Sequence, residues 1–141
     1  MDGVIDRLAD AIAFAEGFYV KGSRPQRNHN PGNLTLDLTG KSVGQDAIYV
    51  VYATDEDGWE ALKKQVRMML DNSSKIYNNA MSILDVAKRY TTTEQLAWAR
   101  NVASRLGVTV DTRLMELSGL AIGLGVVLVF VLLWFLLKKG E

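Results

Sequence analysis

Apolar side chains recur at helical spacing over residues 4–19, where Val4, Ile5, Leu8, Ala11, Ile12, Ala15, Phe18 and Tyr19 share one face. At roughly 100° per residue they fill an arc of about 140°, and Asp2, Asp6 and Asp10 gather on the opposite side. The period then breaks. Residues 21–34, K-G-S-R-P-Q-R-N-H-N-P-G-N-L, are rich in turn formers and read as a loop. Residues 33–38 alternate polar and apolar, and residues 47–52 are rich in Val, Ile and Tyr. Two strands of a small antiparallel sheet are expected there, turning at residues 39–41, with Gly44 as a bulge. Helical spacing returns from Thr54, which caps a helix with Trp59, Leu62, Val66, Met69 and Leu70 inside. Ser82 caps a second, carrying Ile83, Val86, Ala87 and Tyr90. Thr92 with Gln95 reads as a capping box for a third, which carries Leu96, Ala99, Val102, Ala103 and Leu106 and stops at Gly107. The pattern predicts an α+β domain over residues 1–107, mainly helical with a small antiparallel sheet, followed by a linker over 108–116.

Residues 117–137 behave differently. Of these 21 residues, 17 are apolar, the others are Ser118, Gly119, Gly123 and Gly125, and none is charged. As a helix this stretch is roughly 31 Å long, which matches a bilayer core of about 30 Å. It predicts a single C-terminal transmembrane helix, with residues 138–141 as a polar tail and Trp134, Lys138 and Lys139 at the boundary. Gly119 and Gly123 have the small-residue spacing that lets membrane helices approach closely. A nine-residue linker reaches at most ~30 Å when extended, so the domain is expected to work close to its membrane.

Charge and composition narrow the partners. The chain has 16 basic and 16 acidic residues, and setting aside Lys138, Lys139 and Glu141 leaves 14 and 15. No overall field draws the domain to nucleic acid. With no cysteine and a single histidine, His29, neither a metal site nor another cofactor is implied. The first ten residues, MDGVIDRLAD, lack the basic start and apolar run of a secretory signal peptide.

Glu16 is the sharpest candidate for chemistry. It falls just outside the apolar arc of the first helix, in the last turn before Gly17, a natural stop. Partial desolvation and the negative end of the helix dipole both disfavour its ionised form, as a general acid near neutral pH requires. The following loop, Arg27, Asn28, His29, Asn30, Pro31, Gly32 and Asn33, offers paired amide donors and acceptors suited to sugar hydroxyl and N-acetyl groups. Tyr19, Tyr52, Tyr90 and Trp98 can stack on sugar faces, whereas Trp59 and Tyr49 lie at core positions of their elements and His29 reads as a hydrogen-bonding loop residue.

The order E-G, R-N-x-N-P-G-N-L, an aromatic strand running into D-G-W-x-A-L, K-R-Y and V-A-x-x-L-G-V resembles a family of small phage lytic transglycosylases with the lysozyme fold. The likeness spans about residues 12–108. It implies a lysozyme-like domain in which Glu16 is the catalytic acid. It also implies that the 27–33 loop helps to build the glycan cleft, giving Arg27, Asn28, Asn30, Gly32 and Asn33 as expected substrate contacts; Tyr52 and Tyr90, from the stacking candidates, are expected beside them. Many relatives carry a Pro-rich, Ser-Glu-Asn stretch where this chain has Tyr90, Thr91, Thr92, Thr93 and Glu94, so the cleft edge there differs.

A hydrolase needs a second carboxylate, about 5 to 5.5 Å from the acid if retaining and roughly 6.5 to 9.5 Å if inverting. The expected sheet offers only Asp37 and Asp46, while Asp55, Glu56 and Asp57 read as helix capping. If neither sheet aspartate reaches the cleft, one glutamate serves as acid and then base, and the resemblance implies a 1,6-anhydromuramic product. The expected function is therefore cleavage of the MurNAc-GlcNAc bond of peptidoglycan by a membrane-anchored lytic transglycosylase, with hydrolysis as second choice. A phage virion with an internal membrane is the expected location, capsid or other virion proteins are further expected partners, and local wall opening for genome delivery is the expected use. The alternative is a non-catalytic glycan-binding or capsid and membrane structural protein, or a holin-like factor in which the helix is the active element.

Overall fold

The computed structural model describes residues 2–118. Helix α1 spans Asp2–Glu16 and buries Ile5, Leu8, Ala9, Ala11, Ile12 and Ala13. It ends where the sequence places the stop. Gly17 takes a left-handed φ of 82°, its N–H donates to the Phe14 carbonyl at 3.1 Å, and the Phe18 N–H reaches back to Ala13 at 3.0 Å. This double closure satisfies the last carbonyls and turns the chain sharply just after Glu16.

The expected loop that follows contains one short helical turn, α2, at Arg24–Arg27. Ser23 caps it by accepting from the Gln26 N–H, and Pro25 stands in its first turn, where a missing N–H costs nothing. The sheet is two-stranded and antiparallel, but its first strand is not the expected one. β1 is Ser42–Asp46 and pairs with β2, Tyr49–Tyr52, with an irregularity between Ser42 and Gly44 beside the expected bulge. Residues 33–38 form no ladder. Leu34 accepts one bond from the Val50 N–H at 2.9 Å. Asp37 then bends the chain by accepting from Gly40 and Ser42 N–H groups at 3.0 and 3.1 Å. The turn between strands accordingly falls at residues 47–48, with Ala47 at φ 56°.

Helix α3, Asp55–Leu70, starts at Thr54, whose hydroxyl accepts from the Asp57 N–H. Helix α4, Ile83–Tyr90, starts with a capping box between Ser82 and Asp85. Helix α5, Gln95–Leu106, ends at Gly107 in the left-handed region. Its start departs from expectation. The N-cap position is Glu94, left-handed at φ 50° with no side-chain cap, and Gln95 turns back to donate to the Thr91 carbonyl at 2.9 Å. Thr92 is therefore not the cap.

Helix α1 packs against α3 and α5, and α4 packs on α5. Their inner faces, with Leu8, Ile12, Leu62, Val66, Met69, Ile83, Trp98 and Val102, form the main core. A smaller cluster of Leu34, Val50, Tyr52 and Ala61 sits under the sheet, and Tyr90 packs against both. Trp59 is half-buried against the main core. Tyr49 is not a core residue; it is half-buried at the sheet edge with the Arg24 guanidinium 4.8 Å over its ring.

The 108–116 stretch, expected to be a linker, is docked on the domain. Carbonyls of Thr112 and Val110 accept from Ile83 and Leu84 N–H at 3.0 Å each, satisfying donors that the first turn of α4 leaves open. Leu114 and Met115 N–H groups bond Met81 and Asn79, and Leu114 and Leu117 are only 2% and 4% exposed. Apolar burial combined with otherwise orphaned helix donors outweighs the entropy of a free tether. No helix among the described residues is long and apolar enough to cross a membrane. The expected transmembrane helix over 117–137 and the tail over 138–141 lie, apart from Leu117 and Ser118, outside the described residues.

Candidate active site

Glu16 is half-buried at the end of α1. The Trp98 indole N–H, from α5, donates to its Oε1 at 2.9 Å. Burial pushes the Glu16 carboxyl above the usual range, and this outweighs the opposing pull of the Trp98 and Asn33 side-chain donors. The shift is in the direction that a group donating a proton to a leaving oxygen requires.

Trp98 links the glutamate to the asparagine-rich loop. Its ring stacks on Tyr90 with centroids 5.0 Å apart and planes at 28°. The Tyr90 hydroxyl donates to the Gly32 carbonyl at 2.6 Å. Desolvation, reinforced by the Glu16 and Tyr77 charges, holds the Tyr90 phenol well above its ordinary pKa, so it stays a donor. A Cβ on Gly32 would lie 2.7 Å from Leu62 and 3.0 Å from the Tyr90 hydroxyl, which explains the glycine. Gly58, in D-G-W, is needed for the same loop. A Cβ there would stand 1.9 Å from the His29 carbonyl oxygen.

The loop residues divide by role. Asn30 is fully buried; its amide donates to the Leu34 and Val50 carbonyls at 3.0 and 2.9 Å and accepts from the Leu34 N–H at 2.9 Å. It fastens the loop to the sheet in place of a strand. Asn28, also buried, donates to Asp46 at 3.1 Å, and its carbonyl accepts from the Tyr52 N–H. Arg27 is exposed and donates to the Gly22 carbonyl at 3.1 Å. His29 bonds Asp55 at 2.7 Å, as a loop histidine should. Only Asn33 reaches Glu16. It sits in a left-handed conformation at φ 47°, and its Oδ1 is buried with no hydrogen-bond partner among the described residues.

Two hollows flank this corner. One, of about 180 Å³, is lined by Glu16, Thr91, Thr93, Glu94, Trp98 and Asn101 among others. The second, of about 170 Å³, includes Asn33, Leu36, Gln65, Tyr77, Arg89 and Tyr90. Of the residues expected to touch substrate, Glu16, Asn33 and Tyr90 line these hollows, and Gly32 supports them from behind. Arg27, Asn28 and Asn30 do not line them, and neither does Tyr52. Tyr52 is 1% exposed in the small core, its phenol pushed up to about 12 by desolvation, so it has no free face for a sugar. Tyr19 stands elsewhere, bonded to Asp10 beneath the Arg105 guanidinium.

Asp37, which lies outside the sheet, and Asp46, at the end of β1, line neither hollow. Asp37 is held below its ordinary pKa by backbone donors in its own turn, and Asp46 is paired with Arg24 at 3.2 Å. Glu94 shares the Glu16 hollow, a placement that sequence reading missed because it depends on the left-handed turn before α5. Trp98 as the donor to Glu16 was likewise hidden, since the two residues are 82 positions apart. Comparison of the sequence with family models and with curated proteins, and of the fold with solved structures, finds no match.

Proposed function

We propose that this domain cleaves the MurNAc-GlcNAc bond of peptidoglycan as a lytic transglycosylase of lysozyme-like fold. The observation that carries the reading is the half-buried Glu16 carboxyl, held towards its protonated form by burial and aimed by Trp98 beside Asn33. Glu16 donates its proton to the glycosidic oxygen as the bond breaks, then, as a carboxylate, takes a proton from the sugar's own 6-hydroxyl as it closes on C1. The product end is a 1,6-anhydromuramoyl residue. Asp37 and Asp46 are both engaged in local contacts, which favours this single-carboxylate route. Glu94 in the same hollow favours a second reading, hydrolysis with a water activated by that carboxylate. The mass of fragments released from purified cell wall separates the two, because anhydro ends lack the water that hydrolysis adds. If no fragments are released, the domain is a glycan-binding or structural module instead.

The apolar stretch over 117–137 supports anchoring of the enzyme in a membrane. With the resemblance to phage enzymes, it supports a virion protein of a membrane-containing phage that opens the wall locally for genome delivery. Protease protection of the chain inside purified particles tests this location; a chain found only in infected cells overturns it in favour of lysis.

A further inference from the structure

The two hollows beside Glu16 differ in charge. The one that holds Glu16 also holds Glu94 and no cation. The other holds Arg89 and no carboxylate. Arg89 lies exposed in the last turn of α4, and among the described residues its guanidinium takes part in no ion pair. Asp85, one turn earlier, is occupied by the Ser82 N–H in the capping box at 3.1 Å. Asn33 lines the Arg89 hollow, and its side chain also bears on the Glu16 carboxyl, so the two hollows adjoin.

Resting on the peptidoglycan reading above, we infer that the Arg89 hollow takes the carboxylate-bearing muramoyl residue and the Glu16–Glu94 hollow its uncharged N-acetylglucosamine neighbour, so that Arg89 sets the register of the alternating sugars across the two hollows. A carboxylate is repelled by the Glu94 carboxylate in one hollow and attracted to the other, whose only charge is a guanidinium that can bind it through two parallel N–H donors. Ile76 and Tyr77 beside Arg89 supply apolar surface for the methyl groups of the same sugar. In this register the bond that runs from one hollow to the other joins a muramoyl and a glucosaminyl residue. The carboxylate has two sources: the lactyl group of a stem-free muramoyl residue, or the stem peptide attached to it.

Binding tests this separately from cleavage. The full-length chain in detergent, carrying Glu16→Gln to prevent turnover, is titrated with chitotetraose, with a stem-free MurNAc-GlcNAc tetrasaccharide and with its stem-bearing form. A muramoyl fragment is expected to bind about fivefold more tightly than chitotetraose, the scale of a partly exposed charge pair. Preference for the stem-free fragment assigns the lactyl group, and preference for the stem-bearing form alone assigns the peptide. Adding Arg89→Gln erases the preference, while Arg89→Lys keeps part of it. Equal binding of all three sugars, or a preference that survives Arg89→Gln, overturns the inference. If the preference depends on Arg89 but the wild-type chain cuts no wall, the register of binding stands and the transglycosylase reading falls.

Discussion

Asn30 and Asn33 belong to one short loop and have the same side chain, yet they are used in opposite ways. Asn30 is fully buried and makes three hydrogen bonds to backbone groups, so its amide replaces a missing strand. Asn33 has strained backbone, a bare acceptor and a place beside Glu16. Satisfied polar groups stabilise a fold, while unsatisfied ones mark where a protein keeps capacity for something else. The motif is therefore one part fastening and one part chemistry, and the two should fail differently.

The largest expected effect is on the chemical side. Glu16→Gln is expected to lower wall cleavage by about 10²- to 10⁴-fold, measured as soluble fragments released, with an unchanged circular dichroism spectrum. Its stability should move the other way. The folded-state pKa of Glu16 lies above the unfolded one, so the folded chain binds this proton more tightly. The stabilisation that this provides is present at acid pH and lost as pH rises through the raised pKa. Glu16→Gln should thus have an equal or higher Tm than wild type at pH 7, with the gap closing below the ordinary glutamate value of about 4.3. A lower Tm at pH 7 would show that Glu16 serves the fold.

On the fastening side, Asn30→Ala leaves the Leu34 N–H and the Val50 carbonyl without partners and takes one of two donors from the Leu34 carbonyl; it is expected to cost about 3 kcal/mol, read by chemical denaturation. Activity should then fall only as far as the folded fraction does. Gly58→Ala tests the same fastening from the α3 side; its Cβ must push the His29 carbonyl away, at a cost of roughly 1–3 kcal/mol.

Trp98→Phe probes the link between the two parts. It keeps the stack on Tyr90 but removes the donor to Glu16, so the Glu16 pKa should rise further. The alkaline limb of the pH–rate profile is expected to shift to higher pH, with kcat down severalfold from lost aim. A profile that does not move would break the link. The smallest effect is expected from Tyr90→Phe, which loses one bond to Gly32 and about 1 kcal/mol of stability.

Much of the helical frame was legible in the sequence because its signals are local. The apolar arc ending at Glu16, the caps at Thr54 and Ser82 and the glycine stops at Gly17 and Gly107 each depend on neighbours within about one turn. What stayed hidden depends on distant partners. The alternation over residues 33–38 looks like a strand until the Asn30 amide takes the place of the ladder. Tyr52 looks like a sugar platform until Leu34, Val50 and Ala61 close over it. The start of α5 is set by a turn that no side-chain cap announces.

The docked 108–117 segment changes what kind of attachment joins the domain to the apolar stretch that follows. A free nine-residue leash would let the Glu16 hollows sweep a hemisphere. Hydrogen bonds to Met81, Ile83 and Leu84, with Leu114 and Leu117 sunk into the core, make it a fixed mount. Under the proposed reading of a membrane-anchored wall enzyme, a domain held this way gains no reach by swivelling. The height at which it would cut is then set by the dimensions of the domain itself, and bringing the wall to that height would fall to the membrane.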